Sequence, residues 1–124
     1  MARLRPPHWP AYPTAATFGS LDAATGAAGE EAVMLNARLI ADDLSQLGIN
    51  VDCAPVLDIF YDGAADIIGD RAYDANVETV ARLGRKVCDG LLSGGVLPVI
   101  KHIPGHGRAV VDSHLELPVV DTSL

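Results

Sequence analysis

Apolar residues recur along the middle of the chain at helical spacing and then crowd into short continuous runs, an alternation that predicts helix, strand, helix, strand. After Ser20, a residue suited to N-capping, Val33, Ala37, Ile40, Leu44 and Leu47 succeed one another at steps of four, three, four and three, which puts them on one helix face. Gly48 supplies the left-handed position that ends such a helix. Ile49 to Leu57 is nearly continuous in apolar residues, with Val51, Cys53 and Val56 among them, as in a strand covered on both faces that runs out near Asp58. The next helix caps at Asn76, carries Val77, Val80, Gly84, Val87 and Leu91 at the same spacing, and breaks at Gly94-Gly95. Val96 to Ile100 predicts a second strand. Prolines at positions 6, 7, 10 and 13 predict irregular chain from Met1 to about Gly19, and the Asp- and Gly-rich stretch from Tyr61 to Asp74 predicts a loop.

Short links between alternating helices and strands call for parallel strands joined by crossovers, the α/β class. The 124 residues suffice for one modest core but are about half of the ~250 typical of a closed (β/α)8 barrel. A formal net charge of -7 argues against a nucleic-acid or anionic-membrane partner, since a phosphate-binding surface needs a positive field. The chain has no long apolar segment, and its opening Met1-Ala2-Arg3-Leu4-Arg5-Pro6-Pro7 lacks the apolar stretch of a secretory leader, so the expectation is a soluble, cytoplasmic protein. Cys53 and Cys88 make neither a disulfide framework nor a metal-ligand spacing and read as buried free thiols.

Candidate chemistry concentrates at the end of the second strand. Lys101-His102-Ile103-Pro104-Gly105-His106-Gly107, followed by Asp112-Ser113-His114, holds three of the four histidines beside glycines and an aspartate. A loop leaving the carboxyl end of a parallel strand is where α/β active sites gather. In Asp112-Ser113-His114, two side chains one residue apart point the same way on extended backbone, so the carboxylate can accept from one imidazole nitrogen and leave the other free. Such a pair favours the charged imidazole and suits a group that donates and later accepts a proton; an ordinary Asp-His contact tying down a loop is the competing reading. Gly105 and Gly107 allow a sharp turn or a close approach around His106. Lys101 reads either as a donor to a sugar hydroxyl or anion, or as a solvated charge. Arg71, in the loop after the first strand, reads either as reaching a shared pocket or as paired with Asp70 or Asp74. A metal site built from His102, His106, Asp112 and His114 is a further alternative, although Pro104 and two glycines speak against the helix that a His-x3-His metal pair requires. Trp9, among prolines, reads as a packing residue.

Taken together, Lys101 to Gly107, Asp112-Ser113-His114 and Leu117-Pro118 closely resemble the signature of family 3 glycoside hydrolases, specifically the bacterial β-N-acetylhexosaminidases of peptidoglycan recycling. Leu47 to Asp58 and Ile68-Gly69-Asp70-Arg71-Ala72-Tyr73 are similar to further blocks of that family, in its order. The resemblance implies a (β/α)8-type barrel and a retaining glycosidase in which an Asp-His dyad on a mobile loop replaces the usual carboxylic acid. It implies His114 as general acid/base with Asp112 as its partner, and Arg71, Lys101, His102 and Arg3 as residues that hold the N-acetylglucosamine ring. Arg3 matches an arginine that follows an Asp-Gln-Glu-Gly-Gly-Arg block in the family, a block not present among these residues.

The family's nucleophile is an aspartate well beyond Asp121 in chain order, and none of Asp58, Asp66 and Asp121 matches its motif. The expectation is therefore a fragment, residues 1–124, of the catalytic barrel domain, incomplete at both ends and inactive alone. No cofactor and no metal is expected. Its partner would be a small carbohydrate, an N-acetylglucosaminide or muropeptide. A non-catalytic alternative is a remnant that binds sugar or self-associates through open sheet edges. A second alternative is a metal-dependent hydrolase using His102, His106 and His114.

Overall fold

A computed structural model describes residue 4 and residues 6–63, 66–103 and 105–121. The elements are α1 (Ala15–Thr25), α2 (Ala27–Gln46), β1 (Val51–Asp52), a single 3-10 turn at Gly69–Arg71, α3 (Val77–Ser93) and β2 (Leu97–Pro98). The chain is thus rich in helix, with a small two-stranded parallel sheet in which α3 connects β1 to β2.

The irregular leader ends earlier than expected. Thr14, rather than Ser20, is the first N-cap, its hydroxyl accepting from the Thr17 N–H at 3.4 Å, and Ser20 lies inside α1. α1 has no sustained apolar stripe, so its existence left no periodic signal. Gly26 ends it, at φ 57°, and opens α2. The ends of α2 and α3 follow one rule. Gly48 and Gly95 sit at φ 77° and 79°, where a side chain would be strained. In each case the following residue folds back, Ile49 N–H onto the Leu44 carbonyl and Val96 N–H onto that of Leu91, both at 3.0 Å.

Val33, Ala37, Ala41 and Leu44 of α2 pack with Leu83, Val87 and Leu91 of α3, with Phe18 and Val96 completing the core. Leu47 and Val77, expected on the same stripes, are exposed because they lie at helix ends beyond the contact. An ionic cluster closes the other edge. The Arg82 guanidinium grips the buried Asp22 carboxylate through two bonds of 2.8 Å and reaches Glu30 at 2.8 Å, tying α3 to α1 and α2. This holds the Asp22 carboxyl below the usual carboxylate range, with burial opposing the arginine's effect.

Between the strands the register slips by one residue. Val51 pairs with Leu97 while Val56 bridges Lys101, so five positions on one side oppose four on the other. The extra residue falls around Cys53-Ala54-Pro55, where proline offers no N–H to a ladder. The regular strands are accordingly shorter than the apolar runs that predicted them. Nor are they covered on both faces: Ile49, Val51, Leu97, Val99 and Ile100 are all exposed. Cys53 is exposed and Cys88 half-buried, against the expectation of two buried thiols, although both are free. Burial pushes the Cys88 thiol up. Among the described residues no helix is long and apolar enough to cross a membrane.

Candidate active site

Beyond the last bridge, the two chain segments that leave the sheet together are 57–74 and 101–121. Lys101 N–H donates to the Pro55 carbonyl at 3.1 Å and Leu57 N–H to the Lys101 carbonyl at 2.5 Å, which sets Asp58 and His102 side by side at the strand ends. The Lys101-His102 peptide is cis. Asp58 is buried completely, its side chain 0% exposed, and both oxygens are used. Oδ2 lies 2.5 Å from His102 Nδ1, and Oδ1 accepts the His106 backbone N–H at 2.5 Å. One carboxylate therefore fastens both ends of the loop from His102 to His106. The glycine after it matters for the same docking: a Cβ on Gly107 would lie 2.2 Å from the Ile59 carbonyl oxygen, so only glycine lets the loop lie down against the first segment. The His106 ring is inclined 61° to that of His102, ring centroids 6.4 Å apart, and its Nε2 is buried with no hydrogen-bond partner among the described residues.

The second pair is local. His114 Nδ1 lies 2.7 Å from Asp112 Oδ1, which also accepts the His114 backbone N–H at 2.8 Å. Leu115 and Glu116 N–H groups return to the Asp112 carbonyl at 2.9 Å. The pair is thus built on a turn, not on the extended backbone from which it was expected, and the turn works because the aspartate caps the N–H groups that follow it. The His114 backbone N–H, followed by its imidazole, holds the Asp112 carboxyl below the usual range. The His114 side chain is 83% exposed, that of Asp112 34%.

A cleft of about 430 Å³ joins the two pairs. Arg71, His102, His106, Ser113 and His114 line it, with Ile67, Ile68, Ile103 and Gly105 as its apolar walls. Arg71 is held there by its own turn, donating to the Ile67 carbonyl, and makes no ion pair with Asp70 or Asp74. Four of the expected site residues thus meet: Arg71, His102 and His114 line the cleft, and Asp112 backs His114. Lys101 adjoins His102 in the chain but does not line this cleft; its charge acts on Asp52, whose carboxyl burial pushes up and Lys101 draws back down. Arg3 lies outside the described residues. A larger hollow of about 500 Å³ lies between α1 and the Gly69 turn, bordered by Gly19, Asp70 and Tyr73, and it holds none of the histidines. Asp58, His106 and Gly107 complete the cleft's frame. Of these, Asp58 has no role in the sequence reading, although an aspartate closing an apolar strand is a signal that could have marked it.

Among the described residues no three His, Cys, Asp or Glu side chains are grouped to hold a metal. His102 is committed to Asp58 and His114 to Asp112, so one ring nitrogen of each is already engaged by a different carboxylate.

Residues 8–124 match the glycosyl hydrolase family 3 N-terminal domain, and the chain belongs to that family. It is 41% identical over 107 residues to the beta-hexosaminidase of Thioalkalivibrio sulfidiphilus, covering 86% of this chain and 30% of that protein. It superposes on NagZ of Neisseria gonorrhoeae in complex with N-trifluoroacetyl-D-glucosamine with a TM-score of 0.85 at 39% identity, over 91% of this chain and 33% of that one. A zinc complex of the same NagZ gives 0.84 at 37% identity, over 91% and 33%. The chain therefore spans about a third of the length of the relatives it matches.

Proposed function

We propose that this chain is the acid/base portion of a retaining β-N-acetylhexosaminidase, acting on terminal β-linked N-acetylglucosamine as that enzyme's barrel domain presents it. The observation that carries this reading is the meeting of Arg71, His102 and the Asp112-His114 pair at one cleft beside the carboxyl ends of parallel strands. Membership of glycosyl hydrolase family 3 and the sugar analogue on the gonococcal NagZ support the substrate class.

In this reading Asp112 accepts from His114 Nδ1–H and so leaves Nε2 for the reacting oxygen. The protonated imidazole gives its proton to the departing glycosidic oxygen, and the neutral imidazole then takes one from the attacking water, the carboxylate stabilising the charged form each time. Arg71 and His102 hold the sugar, with Lys101 and Arg3 contributing if the complete domain turns them inward. The nucleophilic aspartate is supplied from outside these 124 residues. Exposed Ile49, Val51, Leu97, Val99 and Ile100 support the same picture, since further parallel strands of a barrel would cover them. Zinc, held by one NagZ structure, would here need a third donor beside the Asp112-His114 pair, which the described residues do not group there.

The test is a chimera in which this segment replaces the matching third of the gonococcal NagZ. It should hydrolyse an N-acetylglucosaminide with retention at the anomeric carbon, and His114→Ala should lower kcat by about 10²- to 10⁴-fold. A folded chimera whose turnover is indifferent to His114→Ala would refute the assignment.

A further inference from the structure

Asp58 is the most buried ionisable group near the cleft, and both of its oxygens are taken by the loop beside it, so its task is exerted through others. Its two bonds differ in kind. The one to the His106 N–H fixes backbone. The one to His102 Nδ1 decides where an imidazole carries its hydrogen. A carboxylate has lone pairs and no hydrogen to give, so the nitrogen facing it must be the protonated one. On a neutral His102 this leaves Nε2, at the other side of the ring, with a bare lone pair. The His102 side chain is 42% solvent-accessible and walls both the cleft shared with Arg71 and His114 and a neighbouring hollow of about 460 Å³ bordered by Tyr61 and Arg108.

We propose that Asp58 is a positioning residue that locks His102 in the Nδ1–H tautomer, leaving Nε2 of this cleft-lining ring a hydrogen-bond acceptor that selects a donor, a hydroxyl or amide N–H, on the bound sugar. The inference rests on the sugar-cleft reading for its ligand, but not for its tautomer. Arg71 opposite can only donate, so the two walls read different features of one ring: a hydroxyl oxygen on one side and a hydroxyl or amide hydrogen on the other. A ligand with acceptors alone could satisfy Arg71 but would leave the imidazole lone pair unmet.

The experiment is long-range ¹H–¹⁵N correlation of the imidazoles in this chain, uniformly ¹⁵N-labelled, at a pH where the rings are neutral. Wild type should place the His102 hydrogen on Nδ1. Asp58→Asn keeps an oxygen for the His106 N–H but turns an N–H towards His102 Nδ1, and should invert that ring to the Nε2–H form. Asp112→Asn should leave His102 as it was. A wild-type His102 in the Nε2–H form overturns the proposal, as does an Asp58→Asn variant with a native amide spectrum and an unchanged His102 tautomer. If Asp58→Asn fails to fold, the wild-type tautomer alone decides between the two forms. Because the ring's own spectrum is read, the answer is independent of whether the chimera hydrolyses a glycoside.

Discussion

Two Asp-His pairs stand on either side of one cleft, and they are built in opposite ways. Asp58 and His102 are 44 positions apart, come from the ends of different strands, and share a carboxylate with no exposed surface. Asp112 and His114 are two positions apart, come from one turn, and place an imidazole that is 83% exposed. The first pair cannot move without undoing the loop it fastens. The hydrogen bonds of the second all lie within the five residues Asp112 to Glu116, so they tie it to no other segment. One carboxylate thus anchors two distant segments to each other, and the other completes a self-contained turn.

The sharpest way to break this contrast is by truncation. Asp58→Ala strands the His106 N–H and releases His102, and should cost about 3 kcal/mol in urea unfolding of the chain. Asp112→Ala removes only solvent-exposed bonds and should lower the unfolding midpoint only slightly. Equal losses from both would mean that the buried pair is no more structural than the exposed one.

Arg82→Ala calibrates the scale away from the cleft. It leaves the Asp22 carboxylate buried without its two bonds, and since Arg82 itself is partly exposed the loss should be nearer about 2 kcal/mol. The same denaturant titration reads it, with the cleft's imidazole spectra unmoved.

Acid gives the smallest and most selective effect. The folded Asp112 carboxyl lies below its unfolded value of about 3.9, so the pair's contribution is fully present above that pH and fades as pH falls through the folded value. His114 should keep its carboxylate contact at pH values where exposed aspartates have begun to protonate, and lose it further down. Asp22, also lowered, loses its share of stability in the same direction. Loss of the His114 contact well above the ordinary carboxylate range would contradict this sign.

Features held by near neighbours are legible in the chain. The α3 cap at Asn76, which accepts from Glu78 and Thr79 N–H, the buried Val80, Val87 and Leu91, and the stop at Gly94-Gly95 all follow from contacts within a turn or two of sequence. So does the Asp112-His114 pair, even though its backbone is a turn. α1 is hard to read because Thr14 and Gly26, with no apolar stripe between them, are weak punctuation. The predicted strands are too long because an apolar run reports hydrophobicity and is blind to the register slip that shortens the ladder.

By itself, then, the sequence determined the periodic helices, the Asn76 cap, the glycines at which α2 and α3 stop and the local Asp112-His114 pair, since each depends on forces that act over a few residues. The tertiary structure alone decided which strand end meets which, and with it the burial of Asp58, its hold on His102 and His106, and the closeness of Arg71 to His114. Those contacts join residues dozens of positions apart, and no local pattern encodes them: they exist only once helix packing and the slipped parallel register have brought the two segments to the same edge of the sheet.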